Sequence, residues 1–98
     1  MALSRNDIRE CVLECLLEIS PDQNQQPMDE QTNPMLKLGL DSHDGVNLAC
    51  KLTDKLNYEI PKDINPLVDD ERNRPRRVGE IIDLVCGLIG ARKEENHA

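Results

Sequence analysis

The chain has no phenylalanine and no tryptophan, and Tyr58 is its single aromatic residue. Its core must therefore be aliphatic, and it lacks the aromatic platforms on which single-stranded nucleic acids are normally stacked. Basic charge is also scarce: 12 lysines and arginines stand against 19 acids, a net charge of −7. A phosphate backbone would be repelled overall, so the expected partners are proteins with basic patches, not nucleic acid. No apolar run is long enough to cross a bilayer, and the opening Met-Ala-Leu-Ser-Arg-Asn-Asp has no apolar signal-type segment. There is no Cys-x-x-Cys pair, and His43 and His97 are far apart. Cys11, Cys15, Cys50 and Cys86 are accordingly expected as small apolar residues in a reducing cytoplasm, with no metal centre. With 98 residues the chain is expected to be one monomeric domain, 1–98. A domain of that size buries roughly 60–65% of its unfolded surface and leaves no room for both a scaffold and a deep catalytic cleft.

Three helical patterns are present. Ser4 precedes Arg5-Asn6-Asp7 as a cap followed three residues later by an acid, and Ile8, Cys11, Val12, Cys15, Leu16 and Ile19 then recur at helical spacing until Ser20-Pro21. Residues 21–37 hold three prolines and four glutamines without a sustained period, which predicts a long loop. Met35, Leu36, Leu38 and Leu40 are expected to tether its end to the core. The second helix begins after Asp41 or Ser42, either of which can cap it, and places Val46, Ala49, Leu52, Thr53 and Leu56 on its inner face until Asn57. Residues 62–70 are expected to hold a short helical turn at Pro66. A last helix follows from Val78 through Ile81, Ile82, Val85, Leu88 and Ile89, and the polar residues 91–98 are expected to fray. The start of that helix is unusual: Arg72, Arg74, Arg76 and Arg77 crowd the end where cations are unfavourable, and no capping residue stands directly before Val78. No alternating strand pattern occurs, so the fold class is all-α, a small helical bundle.

The stretch Leu38-Gly39-Leu40-Asp41-Ser42-His43 puts a serine hydroxyl at a helix start. Ser42, His43 and Asp44 are the residue types of a hydrolytic triad, but neighbours on a helix point about 100° apart and cannot pass a proton along one line. The Gly-x-Ser-x-Gly turn of hydrolases is missing, and Gly39 and Gly45 have the wrong spacing for a phosphate-cradling loop. The chain is not expected to be an enzyme. Ser42 either helps the helix begin or is a place where something is attached.

Leu38-Gly39-Leu40-Asp41-Ser42, followed by Asp44, Val46 and Leu48, resembles the phosphopantetheine attachment motif of acyl carrier proteins. Downstream, Leu56 and Tyr58-Glu59-Ile60-Pro61 resemble the end of that family's second helix, and Val78-Gly79-Glu80-Ile81-Ile82-Asp83-Leu84-Val85 resembles its last one. The resemblance implies a four-helix bundle with a long first loop and a short or irregular third helix. It further implies a 4'-phosphopantetheine arm, taken from coenzyme A and attached to Ser42 beside Asp41, that carries an acyl thioester in fatty-acid or specialised lipid or secondary-metabolite biosynthesis. Its partners would be a phosphopantetheinyl transferase and acyl-loading, condensing or acyltransferase enzymes. The free amides of a helix N-terminus would favour the phosphodiester. Partners would grip His43, Asp44, Asn47, Cys50 and Asp54, and an acyl chain would shelter among Leu40, Val46, Ala49, Leu52, Leu56, Ile60, Ile81 and Val85. His43 and Cys50 stand where the family usually has apolar docking residues, and Asn47 replaces a frequent glutamate, which points to dedicated partners. An aminoacyl or polyketide carrier, and an unmodified carrier-like interaction module, are the alternatives.

Overall fold

The computed structural model describes residues 4–20, 28–61 and 63–95, without the side chains of 91–95. In chain order the elements are α1 (Arg5–Ile19), α2 (Pro34–Leu38), α3 (Asp44–Leu56), β1 (Val68–Asp69), β2 (Arg74–Pro75) and α4 (Val78–Glu95). Helix dominates, and α1 packs against both α3 and α4. None of the described helices is long and apolar enough to cross a membrane.

Helix α1 starts as its sequence dictates. The Asp7 amide donates to Ser4 Oγ and the Ser4 amide to Asp7 Oδ2, each at 3.1 Å, so two amides that a helix end leaves orphaned are satisfied reciprocally. Ile8, Val12, Cys15 and Leu16 then point inward, where they meet Leu48 and Leu52 of α3 and Val78, Ile81, Ile82 and Val85 of α4 in one aliphatic cluster. Each such side chain contributes about 1.5–3 kcal/mol on leaving water. At the rim of the α1–α3 seam, Lys55 pairs with Glu18 at 2.8 Å and Glu14 at 3.2 Å, and Lys51 with Glu18 at 3.5 Å. Tyr58, half-buried beyond the end of α3, donates its hydroxyl to the Leu88 carbonyl at 3.0 Å and so ties that end to α4.

Five sequence expectations need correction. Leu36, expected to help tether the chain before α3 to the core, is 83% exposed, while Leu38 and Leu40 join the core and Met35 packs against it. Within the 21–37 loop, α2 forms over Pro34–Leu38, because Asn33 accepts from the Leu36 amide and Pro34 occupies a first-turn position where its missing N–H costs nothing; residues 21–27 lie outside the described residues. Of the helical turn expected over 62–70, residues 63–70 form no helix but a turn across Pro66, in which the Val68 amide donates to the Asn65 carbonyl at 3.3 Å; Lys62 lies outside the described residues. There, β1 and β2 pair antiparallel as Val68 with Pro75 and Asp69 with Arg74, and the intervening turn closes through Asn73 in the left-handed region, φ 52°. The short helix of this chain thus precedes α3 and does not follow it. Val46, expected inside, is 65% exposed, and Gly45, Leu48 and Leu52 face inward in its place. On that face Asn65 lies against Gly45, where a Cβ would stand 1.8 Å from Asn65 Oδ1. Finally, α4 continues to Glu95 where fraying was expected from 91; residues 96–98 lie outside the described residues.

Candidate functional site

The turn that launches α3 is built from two aspartates. Asp41 Oδ1 accepts from the amides of His43 at 2.9 Å and Asp44 at 3.2 Å, while the Asp41 amide donates to Asp44 Oδ2 at 2.9 Å. This is the reciprocal arrangement of a capping box, with Asp41 as the cap and Asp44 three residues on. Carbonyls 41, 42 and 43 accept from the amides of Asp44, Gly45 and Val46 at 3.1–3.2 Å, so the first turn is wound tightly before the α-helical pattern begins. Of the two capping candidates, then, Asp41 does the work. Ser42 is left at the first position of the turn, exposed, and among the described residues its hydroxyl has no hydrogen-bond partner.

The electrostatics differ from the sequence expectation. A helix start was expected to offer free amides to a phosphate, yet the amides of His43 and Asp44 are already committed to Asp41. Two carboxylates now flank Ser42 and offset the partial positive charge of the helix end. His43 points into water, 94% exposed, with Nδ1 3.8 Å from Asp41 Oδ1, beyond hydrogen-bond length.

Along α3 the structure brings His43, Asn47, Cys50 and Asp54 onto one exposed stripe, with exposed Val46 beside it, while Asp44 is half-buried by its bonds to Asp41. Of the residues expected around an acyl chain, Leu40, Leu52, Ile60, Ile81 and Val85 join the aliphatic core, Ala49 and Leu56 pack on its edge, and Val46 is excluded from it. Among the described residues no group of His, Cys, Asp and Glu is arranged as a metal centre. Cys15, fully buried, has its thiol pushed up to about 12 by desolvation, so it is inert at neutral pH.

Sequence reasoning missed the residues behind the turn. Asn65 Nδ2 donates to the Ser42 carbonyl at 2.9 Å, and its Oδ1 accepts from the Leu67 amide at 2.9 Å. Asn65 is held in turn by Arg76, whose Nη1 donates to the carbonyls of Asn65 at 2.6 Å and Val68 at 2.9 Å. The signal was present as Asn65-Pro66, a turn-forming pair, together with Gly45, small enough to admit a close neighbour. The other arginines are also engaged within the chain. Arg74 grips both carboxylate oxygens of Glu80, Arg72 lies 3.8 Å from Asp69 and Glu80, and Arg77 donates to the Gln31 carbonyl at 3.2 Å. They are struts between segments and not an unpaired basic patch. Between residues 63–72 and α4 runs an open groove of about 570 Å³ with Ile64, Val68 and Leu84 among its walls and Asp63, Asp70 and Asp83 on its rim.

Compared with known protein families, characterised proteins and solved structures, the chain shows no significant match.

Proposed function

We propose that this chain is a carrier protein of the acyl-carrier type, a helical bundle that takes a 4'-phosphopantetheine arm on Ser42 and does no chemistry of its own. The observation that carries the reading is the division of labour at the start of α3: Asp41 and Asp44 cap the turn between them, so the exposed Ser42 hydroxyl is spare. Loading would join Ser42 Oγ to phosphorus, break the pyrophosphate bond of coenzyme A and release adenosine 3',5'-bisphosphate, with the hydroxyl proton passing to a base of the transferase. The arm's phosphodiester would find the amides of His43 and Asp44 already bonded to Asp41.

Transferase and acyl-handling enzymes would dock on the exposed stripe of α3, His43, Asn47, Cys50 and Asp54, with Asp41 and Asp44 drawing in their basic patches. An aminoacyl or polyketide cargo fits the same frame. A second reading, an unmodified interaction module, is favoured by one observation: two carboxylates flank Ser42, and the amides of His43 and Asp44 are committed to Asp41.

Intact mass before and after incubation with coenzyme A and a broad-specificity phosphopantetheinyl transferase separates the two. Gain of one phosphopantetheine in the native chain and none in Ser42→Ala is the expected result. No gain, under conditions that load a known carrier, would discard the carrier reading in favour of the interaction module.

A further inference from the structure

Residues 63–67 form no helix, yet the Asn65 side chain reaches the back of the Ser42 turn. Asn65 bonds the Ser42 carbonyl through Nδ2, its side chain is oriented by the Leu67 amide, which donates to Oδ1, and its backbone is held by Arg76, which donates to the Asn65 carbonyl. The Ser42 carbonyl receives a second donor, the Gly45 amide at 3.2 Å, so the two bonds fix both the peptide plane after Ser42 and the pitch of the first turn. Space for this contact exists only because residue 45 has no side chain: a Cβ there would lie 1.8 Å from Asn65 Oδ1 and 2.7 Å from Nδ2. The hydrogen bond and the steric licence are separate observations, and both place the Asn65 amide group against the turn.

We infer that Asn65, held by Arg76 and admitted by Gly45, is a positioning residue that sets the direction in which Ser42 presents its hydroxyl to the loading enzyme. The inference rests on the carrier reading of Ser42. Asn65 touches neither the hydroxyl nor the exposed stripe of α3, so it acts through the backbone of Ser42. Loss of the bond should therefore lower the turnover of loading and leave docking unchanged.

Asn65→Asp is the isosteric probe, because it keeps the acceptor for the Leu67 amide and loses the donor to Ser42; Asn65→Ala loses both. Two readouts are needed on the full chain. In the unmodified protein, the carbonyl-carbon resonance of Ser42 and the amide exchange of Gly45 report the bond directly, and both should change in either variant. In loading by coenzyme A and a phosphopantetheinyl transferase, kcat should fall roughly tenfold with KM unchanged, the size expected for one lost hydrogen bond of positioning value. Gly45→Ala should reproduce the loss by displacing Asn65, and adding Asn65→Ala to it should cost nothing further. A wild-type rate in Asn65→Asp and Asn65→Ala, or an unmoved Ser42 carbonyl resonance, overturns the positioning role while leaving the carrier reading intact. A wild-type chain that never loads overturns the carrier reading and this inference with it.

Discussion

Helices α3 and α4 begin by opposite means. The start of α3 caps its own amides: two aspartates three residues apart satisfy each other's, Asn65 supports only the Ser42 carbonyl behind them, and the turn stays open to water. The start of α4 is supplied from elsewhere. The Val78 and Gly79 amides donate to the carbonyls of Thr32 and Glu30, each at 2.9 Å, while the Arg77 amide donates to Glu80 at 2.9 Å. Gly79 lets the distant segment come this close, since a Cβ there would stand 3.1 Å from Glu30. Glu80 also explains how arginines are tolerated at a helix N-terminus. Its carboxylate, held down to about 2 chiefly by Arg74 and then by the Arg77 amide, puts negative charge into the first turn, where it is favourable, and holds the cations beside it. The start of α3 is capped by its own side chains; that of α4 draws on the backbone of a distant segment.

The comparison predicts unequal damage. Ile82→Ala, in the buried first turns of α4, should cost about 2–5 kcal/mol. Val46→Ala, at the matching place in α3, should stay within about 0.5 kcal/mol; equal shifts in urea midpoint for the two would break the contrast. Glu80→Gln removes the charge from the bidentate contact and from the cap, and should destabilise by about 1–2 kcal/mol. Its pH signature sharpens the test. The Glu80 carboxyl is lowered from its ordinary 4.5 to about 2, so its contribution is complete above pH 4.5 and is lost as the pH falls toward 2. The difference in stability between wild type and Glu80→Gln should shrink across that window and be constant above it. Asp41→Ala should cost about 1 kcal/mol, and Asp41→Asn far less, because asparagine keeps the accepting oxygen. The smallest effect belongs to Lys55→Met at the α1–α3 rim: exposed ion pairs are screened by salt, and its change in melting temperature should fall below that of Asp41→Ala and diminish further in salt.

The same contrast explains what was legible in the sequence. Caps whose partners lie three residues apart can be read from a string of letters, and Ser4–Asp7 and the choice of Asp41 or Ser42 were. The cap of α4 could not be, because Thr32 and Glu30 reach it through backbone carbonyls that every residue possesses. The inner face of α3 was ambiguous for a related reason. Gly45, Leu48 and Leu52 form one helical stripe and Val46, Ala49 and Thr53 another beside it, and the stripe that carries the two leucines is the one buried in the core. Residues 63–77 were least legible. Their conformation depends on Arg76 bonding carbonyls, on Arg74 reaching Glu80 and on Asn73 adopting φ 52°, none of which leaves a hydrophobic period. The exposure of Asn47 and Asp54 was legible from helical spacing, whereas His43 and Cys50 were singled out by the resemblance.

Tyr58 gives the molecule a built-in optical probe. With no tryptophan or phenylalanine present, all of its near-ultraviolet dichroism from aromatic rings and all of its intrinsic emission arise from one phenol, hydrogen-bonded to the Leu88 carbonyl. A melt followed by that signal watches only the junction where the end of α3 meets the far half of α4, whereas far-ultraviolet dichroism watches every helix. Coincident transitions would mark one cooperative unit. A tyrosine transition that runs ahead of the helical one would show the junction opening while the turn that carries Ser42 is still wound.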